Sequence, residues 1–86
     1  MSLRLIELVL PEGYQNVLEG ILQKMEILDF WQETLDDSRM HVKILVPTEH
    51  TEDVLDLMEK RFSHLEGYRI ILLPVEASLP RRARPR

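Results

Sequence analysis

Two stretches of this chain, LVLPEG at 8–13 and ILVPTE at 44–49, each carry an apolar strand-like segment into a proline and then into an acidic helix entry. Proline has no N–H to give to a ladder and fixes its own φ, so a strand reaching Pro11 or Pro47 has to end there if it lies inside a sheet. No repeat by residue identity accompanies this echo. The order of elements is nevertheless the same in both halves, and that order restricts the folds open to the chain more than any other feature.

RLIELVL (4–10) is rich in branched apolar residues and stops at Pro11, Glu12 and Gly13, a strand followed by a turn. In YQNVLEGILQKMEIL, residues Tyr14, Val17, Leu18, Ile21, Leu22 and Met25 recur at the spacing of one helix face. Gly20 inside that helix costs about 1 kcal/mol relative to alanine, and close approach of the helix to a sheet would account for it. DFWQETL (Asp29 to Leu35) is aromatic and β-compatible, and DDSR (Asp36 to Arg39) is a turn cluster. MHVKILVP then alternates, with Met40, Val42, Ile44 and Val46 on one side and His41 and Lys43 on the other. After Pro47, Thr48 or Thr51 is expected to cap a second helix whose first turn is acidic through Glu49, Glu52 and Asp53. Val54, Leu57, Met58, Phe62 and Leu65 supply its buried face, and Gly67 suits the left-handed turn that ends it. YRIILLPV is the last strand.

Strand, helix, strand, strand, helix, strand predicts an α+β ferredoxin-like sandwich: a four-stranded antiparallel sheet in the order 4-1-3-2 with both helices on one face. Strand parity assigns Ile6, Leu8, Val42, Ile44, Ile70 and Leu72 to the helix side. The opposite, open face then receives Leu5, Val9, Trp31, Leu45, Ile71 and Leu73, which is too apolar for a fully solvated surface. Either the tail and loops cover part of it, or the domain self-associates there; self-association is the preferred expectation.

At 86 residues the chain is one domain, and with 44% hydrophobic and 30% charged residues it has the composition of a folded one. It contains no cysteine, which removes disulfides, thiol catalysis and cysteine zinc sites from consideration. The net charge of −4 hides an asymmetry: Arg81, Arg82, Arg84 and Arg86 lie in the tail, and residues 1–80 carry 7 basic against 15 acidic groups. That body repels nucleic acid, and aromatics interleaved with basic residues, as single-strand RNA readers use, are missing from both central strands. Arg4 and Glu7 interrupt the first apolar stretch, so no signal peptide is expected, and no run approaches the roughly 18 apolar residues of a membrane span.

Chemistry-bearing residues are sparse. His41, His50 and His64 fall on three different elements with no pair at ligand spacing, so no metal site is expected, although His50 has Glu49, Glu52 and Asp53 nearby. Glu7, Glu33, Asp36 and Asp37 are read as sheet-surface and turn residues, since acid and base catalysis requires carboxylates in a cleft with separated pKa values. Pro11, Glu12 and Gly13 precede a helix and offer N–H groups to an anion, but a single glycine is no phosphate cradle. The chain is therefore read as no enzyme, with no cofactor.

Taken in order, RLIELVLPEG, ILDFWQETLDDSR, VKILVPTEHTEDVLDLMEKRF and GYRIILLPVEASLPR resemble the N-terminal soluble domain of an uncharacterised family of prokaryotic membrane proteins. This is the hydrophobic-domain family called domain of unknown function 389. The likeness spans about residues 4–81 and is carried by the joint order of these stretches. It brings no catalytic or binding residue with it. It implies a cytosolic module, residues 1–79, on the cytoplasmic side of a cell membrane, followed by a basic linker, 80–86, leading to a polytopic membrane region. Within that context Arg81, Arg82, Arg84 and Arg86 match the positive-inside rule and attraction to anionic head groups; an ordinary solvated linker is the other reading of them. The expected function is interaction or regulation through a homo-oligomer, and the alternative is a small-ligand sensor binding a metabolite at a dimer interface, on fold analogy.

Overall fold

The computed structural model describes residues 2–76, and the expected basic linker at 80–86 lies outside them. The described chain runs β1 (Leu3–Pro11), α1 (Gln15–Leu22), β2 (Asp29–Asp36), β3 (Arg39–Pro47), a 3-10 turn (Thr48–His50), α2 (Thr51–Phe62) and β4 (Arg69–Val75). Its strands form one antiparallel sheet ordered β2-β3-β1-β4, with two helices on one face. Counted from the other edge this is 4-1-3-2, the ferredoxin-like sandwich.

The two proline exits do what their chemistry requires. β1 and β3 are the inner strands, they pair along their full length from Leu3 opposite Pro47 to Pro11 opposite Arg39, and each ends at its proline. Beyond Pro11, Glu12 N–H donates to the Ser38 carbonyl at 2.9 Å, and Gly13 takes φ of +106°, a conformation that side-chain-bearing residues rarely adopt. Gly67, at φ of +84°, turns the chain from α2 toward β4 as expected. The β2–β3 hairpin turns on Asp36, whose carboxylate accepts from Ser38 N–H at 3.0 Å and from Arg39 Nη2 and Nε at 2.6 and 2.9 Å.

The core lies between the helices and the two inner strands. Ile6, Leu8 and Leu10 of β1 and Met40, Val42, Ile44 and Val46 of β3 are buried against Leu18, Ile21 and Leu22 of α1 and Val54, Met58 and Phe62 of α2. Tyr14 meets the Phe62 ring edge-on at 6.1 Å, which ties the two helix ends together. No residue of β2 or β4 is buried.

That last fact corrects one expectation. Leu72 does share the helix side, opposite Ile6, yet it is 41% exposed, because the helices cover the inner strands and reach the outer β4 only at Ile70. Other local expectations also change. α1 ends at Leu22, and the chain tightens into i→i−3 hydrogen bonds from Lys24 to Ile21 and from Met25 to Leu22, so Met25 reaches the core from a turn. Val17 is exposed; it lies roughly 100° around the helix from Leu18 on the outer margin of the stripe. Gly20 approaches nothing, since a Cβ built there has open space around it. Neither Thr48 nor Thr51 caps α2: Thr48 begins the 3-10 turn, and Thr51 Oγ1 donates backward to the Pro47 carbonyl at 3.4 Å. The acidic first turn, Glu52 and Asp53, is as expected.

Candidate functional site

Strand register sets three rows of side chains that cross all four strands of the open face, with Leu3, Pro47 and Val75 in a shorter row beside the first. In the first, Asp29, Leu45, Leu5 and Leu73 stand side by side from β2 to β4. The second holds Trp31, Lys43, Glu7 and Ile71, and the third Glu33, His41, Val9 and Arg69. All six residues assigned to this face from sequence parity lie on it. Trp31 is 45% exposed, Ile71 41% and Leu73 37%, while Leu5, Val9 and Leu45 are half-buried among their neighbours.

A polar cluster sits inside this apolar surface. His41 Nε2–H donates to Glu7 Oε1 at 2.9 Å, and its Nδ1 lies 3.6 Å from Glu33 Oε1. Lys43 Nζ reaches to 4.0 Å from the same Glu33 oxygen. His41 thus lies between carboxylates from two other strands. Register was the missing signal: Glu33 and Val9 flank His41, Glu7 lies diagonally across on β1, and only the pairing of the strands shows that the three converge.

The remaining sequence candidates do not assemble. His50 Nε2 pairs with Glu26 Oε2 at 3.5 Å, away from the neighbouring acids named for it, and His64 is exposed. Among the described residues no group of three acidic or histidine side chains is placed to hold a metal ion. The helix entry at Pro11–Gly13 has little to offer an anion, because Glu12 N–H is bonded to Ser38 and Gly13 N–H donates to Gln15 Oε1 at 3.0 Å. Arg39, with Ser38 N–H, holds the Asp36 carboxyl down at about 2, a hairpin feature with no second carboxylate at work beside it. A shallow depression of about 110 Å³ lined by Gln15, Gln32, Glu33, Thr34 and Met40 contains the unpartnered amide oxygen of Gln32. It is well below the roughly 300 Å³ at which small-molecule sites begin. Among the described residues no helix is long and apolar enough to cross a membrane.

The open face thus carries three exposed large apolar side chains, an apolar row of Leu45, Leu5 and Leu73 along one side, and the charged Lys43 and Glu7 between Trp31 and Ile71. Compared with known proteins, the chain matches no protein-family model and no curated protein, so the resemblance described above rests on the order of its own residue stretches.

Proposed function

We propose that this domain is a non-enzymatic interaction module that self-associates through the open face of its sheet. The observation that carries the reading is the row Leu45, Leu5 and Leu73 with Ile71 and Trp31 beside it, an apolar surface on the side of the sheet away from both helices. Isolated exposed apolar side chains are ordinary, whereas contiguous ones mark contact surfaces. Trp31 is the only tryptophan, so its emission reports on that face alone. Diluting the protein through the micromolar range should shift the Trp31 emission to the red while sedimentation shows dimer giving way to monomer. A monomer at about 100 μM, a concentration that would populate even a weak complex, defeats the proposal.

The setting we propose for this module is the cytoplasmic side of a membrane protein, with Arg81, Arg82, Arg84 and Arg86 beside the bilayer. The support is the resemblance together with the separation of four arginines from an acidic body. A ligand-sensing role would add a metabolite at the contact between two copies, and a ligand-dependent rise in melting temperature would show it.

A further inference from the structure

The charges on the open face are arranged asymmetrically about its midline, and that asymmetry selects one way for two copies to meet. We propose that a second copy docks face to face about a two-fold axis parallel to the strands, between β1 and β3. This rests on the reading of the open face as a self-association surface and adds its geometry. Such an axis lays β3 over β1 of the second copy and β2 over its β4, with the rows preserved. Lys43 then meets Glu7 of the second copy, Glu33 meets its Arg69, Trp31 its Ile71, and Leu45 its Leu5.

The other symmetric arrangements lack this match. An axis across the strands returns each strand to itself with rows reversed, which sets Glu7 against Glu7 and Lys43 against Lys43 when centred on the middle row. A diagonal axis, which crosses the sheets at right angles, sets either Glu33 or Arg69 against its own copy. Only the axis along the strands pairs opposite charges at both positions, and like charges opposed in a contact act strongly against it. Aligned sheets cross at about 30°, which displaces the corners of a face this size by roughly 5 Å, within reach of glutamate and arginine side chains. Asp29 falls at the rim opposite Leu73, and its carboxylate accepts from Phe30 N–H at 2.8 Å. The face is on the order of 400 Å² in projection, so the dimer is a weak one.

Glu33 and Arg69 supply a decisive test because they stand on opposite edges of one sheet, about 14 Å apart across three strand spacings, and do not pair within a chain. In sedimentation of the full chain, Glu33→Arg and Arg69→Glu should each raise the dimer dissociation constant about tenfold, since each homodimer then holds two like-charge contacts. An equimolar mixture of the two variants should recover the wild-type constant, because the mixed dimer restores both pairs. Melting curves separate the effect from unfolding: Arg69→Glu should melt as the wild type does, and Glu33→Arg slightly lower, because it loses its pairs with His41 and Lys43, while both stay folded. A wild-type dimer whose constant neither substitution moves, or a mixture no tighter than its components, overturns the two-fold arrangement and leaves self-association standing. A wild-type monomer overturns both.

Discussion

Replacing Leu73 by glutamate separates a contact surface from a core surface more sharply than any other single change. Leu73 is 37% exposed and lies opposite Leu5 on the open face, whereas Leu8, one strand away and on the other side of the sheet, is fully buried. A leucine left about one third exposed keeps roughly 65 Å² outside, and covering that in a dimer is worth at most ~1.6 kcal/mol per copy at 25 cal/mol per Å². A symmetric contact uses the residue twice, for a total near 3 kcal/mol, or roughly a hundredfold in dissociation constant. Glutamate adds the cost of burying a charge, and in the arrangement proposed here it faces Asp29 of the second copy. Lysine at the same position faces that aspartate with opposite sign and should weaken the dimer less. Sedimentation across a concentration series reads both constants, and thermal unfolding of the monomer shows that the fold is intact. If Leu73→Glu lowers the melting temperature as far as Leu8→Glu does, the two faces of the sheet have been assigned in reverse. If it leaves the constant unchanged, Leu73 is outside the contact.

Ile44 is fully buried on the inner strand β3, and Ile44→Ala should lower unfolding stability by about 2–5 kcal/mol in denaturant titration, a large fraction of what a domain this small possesses. Asp36 is held ionised by Arg39 first and by Ser38 N–H second, so the hairpin interaction is complete above the usual carboxylate range and is lost as pH falls through about 2. Arg39→Ala should move the carboxyl titration of Asp36, followed by NMR, back toward the ordinary aspartate value. Replacing Arg81, Arg82, Arg84 and Arg86 by serine should abolish binding to anionic vesicles, each arginine having contributed about 1 kcal/mol at short range, while the melting temperature stays nearly unchanged. Undiminished binding by the serine variant would mean that the tail is not an electrostatic linker.

Element order and strand parity were legible because each rests on a local rule with a fixed period. Pro11 and Pro47 mark the ends of the inner strands, and alternation in 40–46 separates Val42 and Ile44 from His41 and Lys43 without knowledge of any partner. What was not legible depended on how far one layer extends over another. Val17 and Leu72 carry the right phase for the core and are exposed, because a helix of 8 residues and an outer strand both lie at the margin of the covered area. The Glu7–His41–Glu33 cluster was hidden for a different reason. Its members are on three strands, and their meeting depends on the register of two pairings, which a hairpin bulge between Thr34 and Asp36 also influences.

For the self-association proposed above, the free edges of the sheet favour the open face over an edge as the contact. An outer strand presents unpaired N–H and C=O groups, the usual route by which one sheet extends into another. β2 blunts its edge with Asp29, Glu33 and Asp36 and with a bulge, so a second acidic β2 is repelled. β4 is more apolar, with Ile70, Ile71, Leu72 and Leu73 in succession, but Pro74 follows directly and removes a donor from the strand. Each edge therefore carries a feature that opposes extension. The open face carries none of that kind: each of its rows mixes charged and apolar residues, and Glu7 and Glu33 both lie beside His41 of β3. A face that mixes charged and apolar residues in this way resists indiscriminate aggregation and suits the proposed contact with one partner in one orientation.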